Sequence, residues 1–257
     1  MPRTLTDDLG HRVTLPDGPL TRIVSLVPSL TEALAATRAE ALVGATDWCT
    51  HPADLEVTRV RGTKNPNRGL IEELAPELVL TVQEENRELD VRRLREAGVP
   101  VWVSVIESVP QSLRVLRQLI TDVLAWPAPD WLGEVEALWG MPNPPPARTR
   151  VAVPIWRDPW MVVGSRTFTT DLLTRAGLSN VFGDHPDRYP HVDLAEVDGA
   201  GADVVLLPDE PYEFTAEDGP EAFASTPTAL VSGRLLTWYG PAMLEAHQAL
   251  RTLAVAH

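Results

Sequence analysis

The sequence predicts an α/β protein with two Rossmann-like α/β lobes joined by a helical connector. Short apolar runs typical of buried strands alternate with helical segments in the first part of the chain, which favours a parallel sheet. The stretch Met141-Pro142-Asn143-Pro144-Pro145-Pro146 is too rich in proline for regular structure, and the same alternation restarts at Val151. We therefore divide the chain into an N-terminal lobe at 1–108, a helical connector at 109–147 and a C-terminal lobe at 148–257.

The first elements are a hairpin, a strand and a capped helix. Leu5–Leu15 has a turn at Asp8-Leu9-Gly10 between two short strand-like pieces, which predicts a hairpin. Ile23–Val27 is a buried-type strand, and a helix is expected from about Leu30 to Ala41. Ser29 and Glu32 have the spacing of a capping box, in which each side chain bonds the backbone N–H of the other residue.

The rest of the N-terminal lobe continues the alternation of strands and helices. Apolar runs predict strands at Leu42–Ala45, Leu78–Val82 and Val99–Val105. Helices are expected near Leu70–Leu74 and at Leu89–Ala97, where Gly98 provides the stop.

The connector is predicted to contain two helices, and the second lobe repeats the pattern of the first. The connector helices are Val109–Leu124 and one from about Asp130 to Trp139, separated by Pro127 and Pro129. Strands are expected at Val151–Ile155, Trp160–Val163, Val204–Leu207 and Leu235–Thr237, and helices at Phe168–Ala176 and Ala242–Leu253. The strand-then-carboxylate run at 78–85 matches that at 204–210, and 101–103 matches 235–239.

Composition excludes several classes of partner. The chain has 257 residues and a formal net charge of −14, which argues against binding nucleic acid or an anionic membrane surface. Cys49 is the only cysteine, so no intrachain disulfide forms. No apolar segment is long enough to insert into a membrane. The first residues have no apolar h-region and no lipid-anchor cysteine, which predicts a cytoplasmic location, and we expect a monomer.

Candidate binding residues lie just after the predicted strands, because open α/β sheets bind ligands beyond the carboxyl ends of their strands. This set is rich in aromatic and polar side chains, which suits a cleft between the lobes that holds a flat or bulky small molecule. The candidate ligand-binding residues are Ser29, Trp48, His51, Lys64, Asn65, Glu84, Glu85, Trp156, Trp160, Glu210, Trp238 and Tyr239.

The sequence carries no recognisable catalytic motif. The P-loop, dinucleotide-binding, nucleophile-elbow and zinc-protease patterns are all absent, so we predict no enzyme and name no catalytic residue. An enzyme that uses Cys49, His51 or Glu84 is the alternative. We assign no metal site, although direct ligation by His51, His185 or His191 is left open.

Several stretches together resemble the class III substrate-binding proteins, the helical backbone metal receptor group that includes periplasmic vitamin B12-binding proteins. The stretches that carry this resemblance are RIVSLVPSLTEAL (22–34), VGATDWCTHP (43–52), RGTKNPN (61–67), LAPELVLTVQEENRELDVRRLREAGVPVWV (74–103), DPWMVVGSRTFTTDLLTRAGLSNVF (158–182), RYPHVDLAEV (188–197), ADVVLLPDEPYEF (202–214) and LLTWYGP (235–241).

The resemblance implies a fold and a class of ligand. It implies two α/β lobes linked by a backbone helix, with cobalamin, haem or an iron–siderophore complex in the cleft between them. Trp48 matches an aromatic residue that flanks the cobalamin site in the family, and Trp238 lies near another. A further tryptophan of some B12 binders falls on Thr63 here, which leaves the ligand itself unassigned.

The resemblance also bears on the transport partner. Family members that deliver cargo to an ABC permease carry one docking glutamate on each lobe, and the matching positions here are Gly69 and Ala195. Glu72, Glu73 and Glu196 lie close by in the sequence. We therefore expect a small-molecule binding protein that is cytoplasmic and not coupled to a transporter. The alternatives are the substrate-binding component of an ABC importer and an enzyme that uses the same cleft.

Overall fold

The structure, a computed structural model, describes residues 1–256, and the chain divides into two compact units. Unit 1 holds Met1–Ile106, Leu113–Gly133 and Tyr239–Pro241, and unit 2 holds Glu107–Ser112, Glu134–Trp238 and the segment from Ala242 onward. Each unit contains a parallel sheet with helices, so the predicted fold class of two α/β lobes is confirmed. The boundaries at 108 and 147 stay a prediction.

Unit 1 is built on a five-stranded parallel sheet with the strand order β5-β4-β3-β6-β7. Strands β1 and β2 form the predicted antiparallel hairpin beside it. The elements of this part of the chain are β1 (Arg3–Thr6), β2 (Arg12–Leu15), β3 (Ile23–Ser25), α1 (Pro28–Arg38), β4 (Leu42–Ala45), β5 (Thr58–Arg59), α2 (Arg68–Glu73), β6 (Leu78–Val82), α3 (Glu88–Glu96) and β7 (Val101–Ser104).

The predicted connector contains α4 (Val109–Gln118) and α5 (Asp130–Trp139), and both helices include residues of the two units. A π-helical turn at Leu119–Val123 follows α4 directly. The guanidinium of Arg3 donates hydrogen bonds to the carbonyl oxygens of Asp122 and Val123 in that turn, and to the carbonyl of Gly18. The arginine therefore satisfies carbonyls that a helix end leaves without a partner.

Unit 2 is built on a four-stranded parallel sheet with the order β11-β8-β12-β13, and β9 and β10 form a separate antiparallel pair. Its elements are β8 (Thr149–Ala152), β9 (Pro154–Trp156), β10 (Met161–Val162), α6 (Phe168–Ala176), β11 (Leu178–Asn180), α7 (Leu194–Gly199), β12 (Val204–Pro208), β13 (Thr228–Val231), α8 (Arg234–Thr237) and α9 (Ala242–Ala256).

The central strands are continuous apolar runs because both faces of each sheet are covered. Every residue of β6 and every residue of β12 is buried. Strands that are buried on both faces lose the alternation of apolar and polar residues and read as unbroken hydrophobic stretches. The match between 78–85 and 204–210 in the sequence therefore reflects the same position in two similar sheets.

The start of α1 differs from the prediction. The helix begins at Pro28, Val27 is its N-cap residue, and no side chain caps it. Ser29 lies inside the first turn and is buried, so the predicted capping box with Glu32 does not form. Proline is favoured at the first helical position because its φ is already helical and its missing N–H costs nothing there.

The segment 235–239 also differs from the prediction. Leu235–Thr237 belongs to α8, and the edge strand of the sheet is Thr228–Val231. The backbone N–H of Gly233, the residue before this helix, donates to the Asp209 carboxylate at 2.7 Å. A short apolar run is compatible with either a strand or a buried helix, so the expected correspondence with 101–103 is wrong.

Gly177 gives a direct test of a predicted helix end. It follows α6 with φ +87°, in the left-handed region that an L side chain adopts only at a cost. We expect Gly177→Ala to destabilise the protein by about 1–2 kcal/mol. Gly133→Ala is the matched control, because Gly133 lies within α5 with open space around it, and we expect it to stabilise by about 0.5–1 kcal/mol. Urea unfolding measures both values, and equal effects for the two variants would contradict the assignment.

Candidate functional site

In unit 1 the loop after β4 exposes one tryptophan and buries the cysteine beside it. Trp48 is 67% exposed, whereas Cys49 is fully buried. The Thr31 hydroxyl donates to the Cys49 sulfur at 3.0 Å, and the Thr46 hydroxyl lies 3.1 Å from it. Burial raises the pKa of the Cys49 thiol, which keeps it protonated and unreactive. The structure therefore favours a structural role for Cys49 over the nucleophile of the alternative hypothesis.

Arg59 holds the Trp48 turn in place through hydrogen bonds to its backbone. Its guanidinium donates to the carbonyl oxygens of Thr46 at 3.0 Å and Cys49 at 2.8 Å. The Asp47 N–H donates to the carbonyl of Arg61 at 2.9 Å, which ties the turn to the next loop. An exposed indole on a braced turn presents a fixed apolar surface to solvent.

Gly62 allows the Trp48 ring to lie against this loop. A Cβ atom at Gly62 would lie 2.5 Å from the Asn65 side-chain oxygen and 3.3 Å from Trp48 Nε1. Both distances are shorter than ordinary contacts, so only glycine leaves the two side chains where they are. Asn65 was a sequence candidate; Gly62 was not, because a glycine in a polar loop carries no such signal in a single sequence.

Asn86 fixes the loops on the other side of Trp48. Its buried side chain accepts from the Val82 N–H at 2.9 Å and donates to the carbonyls of Leu26 and Thr63 at 3.2 and 3.1 Å. Lys64 Nζ donates to the Glu84 carbonyl at 2.9 Å. The structure thus brings two sequence candidates, Lys64 and Glu84, into contact, and assigns to Asn86 a role that the sequence did not reveal.

Tyr239, Glu85 and Ser29 form a polar group in unit 1, in which Tyr239 and Ser29 are buried and Glu85 is half-buried. The Tyr239 hydroxyl lies 3.5 Å from Glu85 Oε1, and the phenol ring is buried. Burial, followed by the negative charge of Glu85, raises the pKa of Tyr239 well above its usual value, while the Ser29 hydroxyl opposes the shift. The phenol is therefore a neutral hydrogen-bond donor at any physiological pH.

His51 is exposed, and its Nδ1 lies 3.2 Å from the Thr50 hydroxyl.

In unit 2 the β9–β10 turn carries a cluster of aromatic rings. Trp156, at the end of β9, is 45% exposed and meets the edge of Tyr212 at a centroid distance of 5.6 Å. Tyr212 contacts Phe214 at 4.7 Å, and Phe214 stacks on Trp160 at 5.9 Å. Trp160 is only 8% exposed, so this cluster offers Trp156 to solvent while Trp160 packs inside it.

Glu210 and Trp238 are joined by a hydrogen bond. Trp238 Nε1 donates to Glu210 Oε1 at 2.6 Å, the Thr237 hydroxyl donates to the same oxygen at 3.3 Å, and Trp238 is 5% exposed. Burial raises the pKa of Glu210, although the Trp238 bond works in the opposite direction. Because the indole is enclosed, Trp238 has little ring surface available to a ligand in this structure.

The remaining candidates concern metals and partner docking. In the stretch 1–256 no three His, Cys, Asp or Glu side chains are placed to hold a metal ion. His185 Nδ1 accepts from the Asp187 N–H at 3.0 Å, and His191 is exposed. Gly69 on α2 and Ala195 on α7 are both exposed, as are the nearby Glu72, Glu73 and Glu196. No helix within the described chain has both the length and the apolarity to cross a membrane.

The comparisons support the resemblance to class III substrate-binding proteins of the helical backbone metal receptor type that the sequence motifs predict. No protein-family profile matches it. A vitamin B12-binding protein of Vibrio parahaemolyticus is 24% identical over 192 residues, which are 72% of this chain and 70% of that protein. The relatives and solved neighbours are named for binding vitamin B12 or heme, and not for an enzymatic activity.

Solved structures share the fold across nearly the whole chain. The periplasmic vitamin B12-binding protein BtuF of Vibrio cholerae is 18% identical with a TM-score of 0.71, covering 92% of this chain and 97% of that one. The periplasmic heme-binding protein RhuT of Roseiflexus sp. RS-1 is 22% identical with a TM-score of 0.74, covering 91% and 97%.

The prediction of a cytoplasmic location is wrong. Both of these structural neighbours are described as periplasmic. A secretory leader is removed from the mature protein and contributes nothing to its fold, so the composition of the first residues was a poor guide to location.

The contact between Gly62 and Trp48 can be tested without a ligand. We expect Gly62→Ala to displace the indole, because the added methyl group would crowd Trp48 Nε1 and the Asn65 side chain. The measurement is the indole N–H signal of Trp48 in a ¹H–¹⁵N NMR spectrum, assigned with Trp48→Phe. Gly69→Ala is the control, since a Cβ there meets only the Asn67 oxygen at 3.8 Å. A Trp48 signal that Gly62→Ala leaves unmoved would show that the contact does not exist.

The raised pKa of Glu210 predicts a pH dependence of stability. Its folded-state pKa lies above the unfolded value, so the native state binds the proton more tightly and loses stability as pH rises through that interval. Replacing the carboxyl group by an amide removes this loss. We therefore expect the stability of Glu210→Gln relative to the unsubstituted protein to improve from pH 4 to pH 7.

Urea unfolding at several pH values measures the effect. Glu213→Gln, at an exposed position three residues away, is the control and should show a much smaller trend. An identical pH trend for both variants would mean that Glu210 is not desolvated.

Proposed function

We propose that this chain is an extracytoplasmic substrate-binding protein that delivers a cobalamin- or haem-type metal chelate to an ABC importer. The observation that carries the proposal is the exposure of Trp48, in the loop after β4 of unit 1, and of Trp156, the last residue of β9 in unit 2. Parallel α/β sheets bind ligands beyond their strand ends, which is where Trp48 lies. Relatives named for binding vitamin B12 and neighbours named for binding heme support the class of ligand.

Exposed indoles are suited to corrin and porphyrin rings for a physical reason. Covering a large apolar side chain is worth about 1.5–3 kcal/mol, and stacked aromatic rings add about 0.5–1.5 kcal/mol. Because both loops are held by internal hydrogen bonds or ring contacts, little entropy is lost when the ligand arrives.

The proposal assigns no catalytic activity to this protein. Cys49 is buried between two threonine hydroxyls with a raised thiol pKa, which removes the strongest nucleophile of the enzyme hypothesis. The protein therefore binds and releases its ligand unchanged.

Ligand titration tests the proposal. We expect the chain to bind cyanocobalamin or haemin, and Trp48→Ala and Trp156→Ala each to weaken binding about tenfold, equivalent to about 1.4 kcal/mol. Trp131→Phe is the control, because Trp131 donates its indole N–H to Thr37 at 3.1 Å and lies outside both loops. Absorbance and calorimetric titrations provide the affinities. The proposal fails if neither ligand binds, or if the control weakens binding as much as the two alanine variants.

Delivery to a permease is expected to use glutamates near the positions that the family resemblance singles out. Glu72 and Glu73 on α2 and Glu196 on α7 are exposed and can meet arginines of a partner. We expect the combined change Glu72→Gln, Glu73→Gln and Glu196→Gln to leave ligand affinity unchanged and to reduce uptake of labelled ligand by cells. Glu56→Gln, Glu88→Gln and Glu217→Gln, at exposed positions elsewhere, form a control of equal charge change. Equal uptake by the two triple variants would exclude this docking mode.

A further inference from the structure

The aromatic surface of unit 2 is bordered by an excess of negative charge. Arg157, the residue after Trp156, pairs with three carboxylates: Asp158 at 3.5 Å, Glu221 at 2.7 Å, and Asp218. This group therefore has a formal net charge of −2, directly beside the exposed indole. The Arg157 guanidinium holds the pKa of Glu221 below its usual value, so that carboxylate is ionised at neutral pH.

The arginine and the phenol of this cluster donate hydrogen bonds to its own carboxylates. The side chain of Arg157 is only 19% exposed, lies over the Trp160 ring at 5.3 Å and donates to Asp218 and Glu221. The Tyr212 hydroxyl donates to Asp218 at 2.6 Å. An anionic group brought to the Trp156 surface would meet these carboxylates, to which the nearby arginine and phenol already donate.

The loops around Trp48 do not compensate with an excess of positive charge. Arg59, Arg61 and Lys64 lie against the turn or follow it, but Asp47 lies within it and Glu84 and Glu85 lie in the adjacent loop. The Lys64 ammonium also contacts the Glu84 carbonyl. The formal net charge of the whole chain, −14, has the same sign as the unit 2 cluster. The long-range field therefore also disfavours an anion.

We propose that the binding surface at Trp156 and Tyr212 selects metal chelates whose periphery is neutral or cationic, and disfavours those that carry carboxylates. This inference rests on the proposed function and specifies its ligand class. Corrinoids with an amide periphery and esterified or cationic chelates meet the requirement, whereas a porphyrin with two free propionates does not. Electrostatic complementarity of this kind determines specificity more than affinity.

Two matched ligand pairs test the charge rule on the full chain. The first is cyanocobalamin and its monocarboxylic acid, which differ by one amide hydrolysed to a carboxylate. The second is haemin and its dimethyl ester, presented in the same detergent. We expect the less anionic member of each binding pair to bind at least fivefold more tightly in low salt, and the ratio to shrink in high salt because exposed charges are screened.

A neutralising substitution separates charge from shape. The Asp158 side chain is 82% exposed and touches only the edge of the Arg157 network, so Asp158→Asn should leave the fold intact and reduce the preference at least twofold. Asp187→Asn, at an exposed position in another loop of unit 2, is the control and should preserve the preference.

The outcomes separate the two proposals. Tight binding of either pair with equal or better affinity for the more anionic member overturns the charge rule and leaves the proposed function standing. A preference that Asp158→Asn and Asp187→Asn change equally also overturns it. If no member of either pair binds, the proposed function fails and the charge rule fails with it.

Discussion

Burial of both faces of each parallel sheet is the constraint on which the rest of the structure depends. The strands β6 and β12 are fully buried, and a polar side chain there bonds within the protein, as the Thr81 hydroxyl does to the Trp102 carbonyl. The side chains that can meet a ligand are therefore confined to the loops at the strand ends. Loops lack the regular hydrogen bonds of a sheet, and this chain replaces them with specific side chains: Asn86 links two loops to β6, and Arg59 supports the Trp48 turn. These buried contacts hold the loops that carry the exposed Trp48 indole.

The electrostatics of the two units follow the same logic. Tyr239 and Glu210 are each placed where burial favours the neutral form, and each engages in a hydrogen bond with a neighbour. In contrast, the charged groups near Trp156 remain partly exposed and pair with one another around one arginine. Burial thus fixes geometry through hydrogen bonds between neighbouring side chains, while we propose that the solvent-facing charges discriminate between ligands.

The sequence predicted the bounds of those strands and helices whose residue pattern is set by local burial. The strands at 42–45 and 78–82 and the helix at 168–176 were predicted with the bounds that the structure shows, since unbroken apolar runs and helix stop residues report directly on these elements. The short strands at 58–59 and 178–180 were missed, because two or three residues carry too little pattern. Of the four strand-end tryptophans, Trp48 and Trp156 are exposed while Trp160 and Trp238 are enclosed. Residue type alone could not separate these cases, because the packing of Phe214 and Glu210 against them arises from segments distant in the sequence.

Arg3, in the first strand of the hairpin, also contacts a helical segment that is distant in the sequence. One guanidinium satisfies the carbonyls of Asp122 and Val123 at the end of the π-helical turn and the carbonyl of Gly18. Arg3 therefore links the first strand to a helical turn more than a hundred positions later in the chain. Variants that shorten or permute the chain should therefore retain Arg3, because its loss would leave the Asp122 and Val123 carbonyls without this donor.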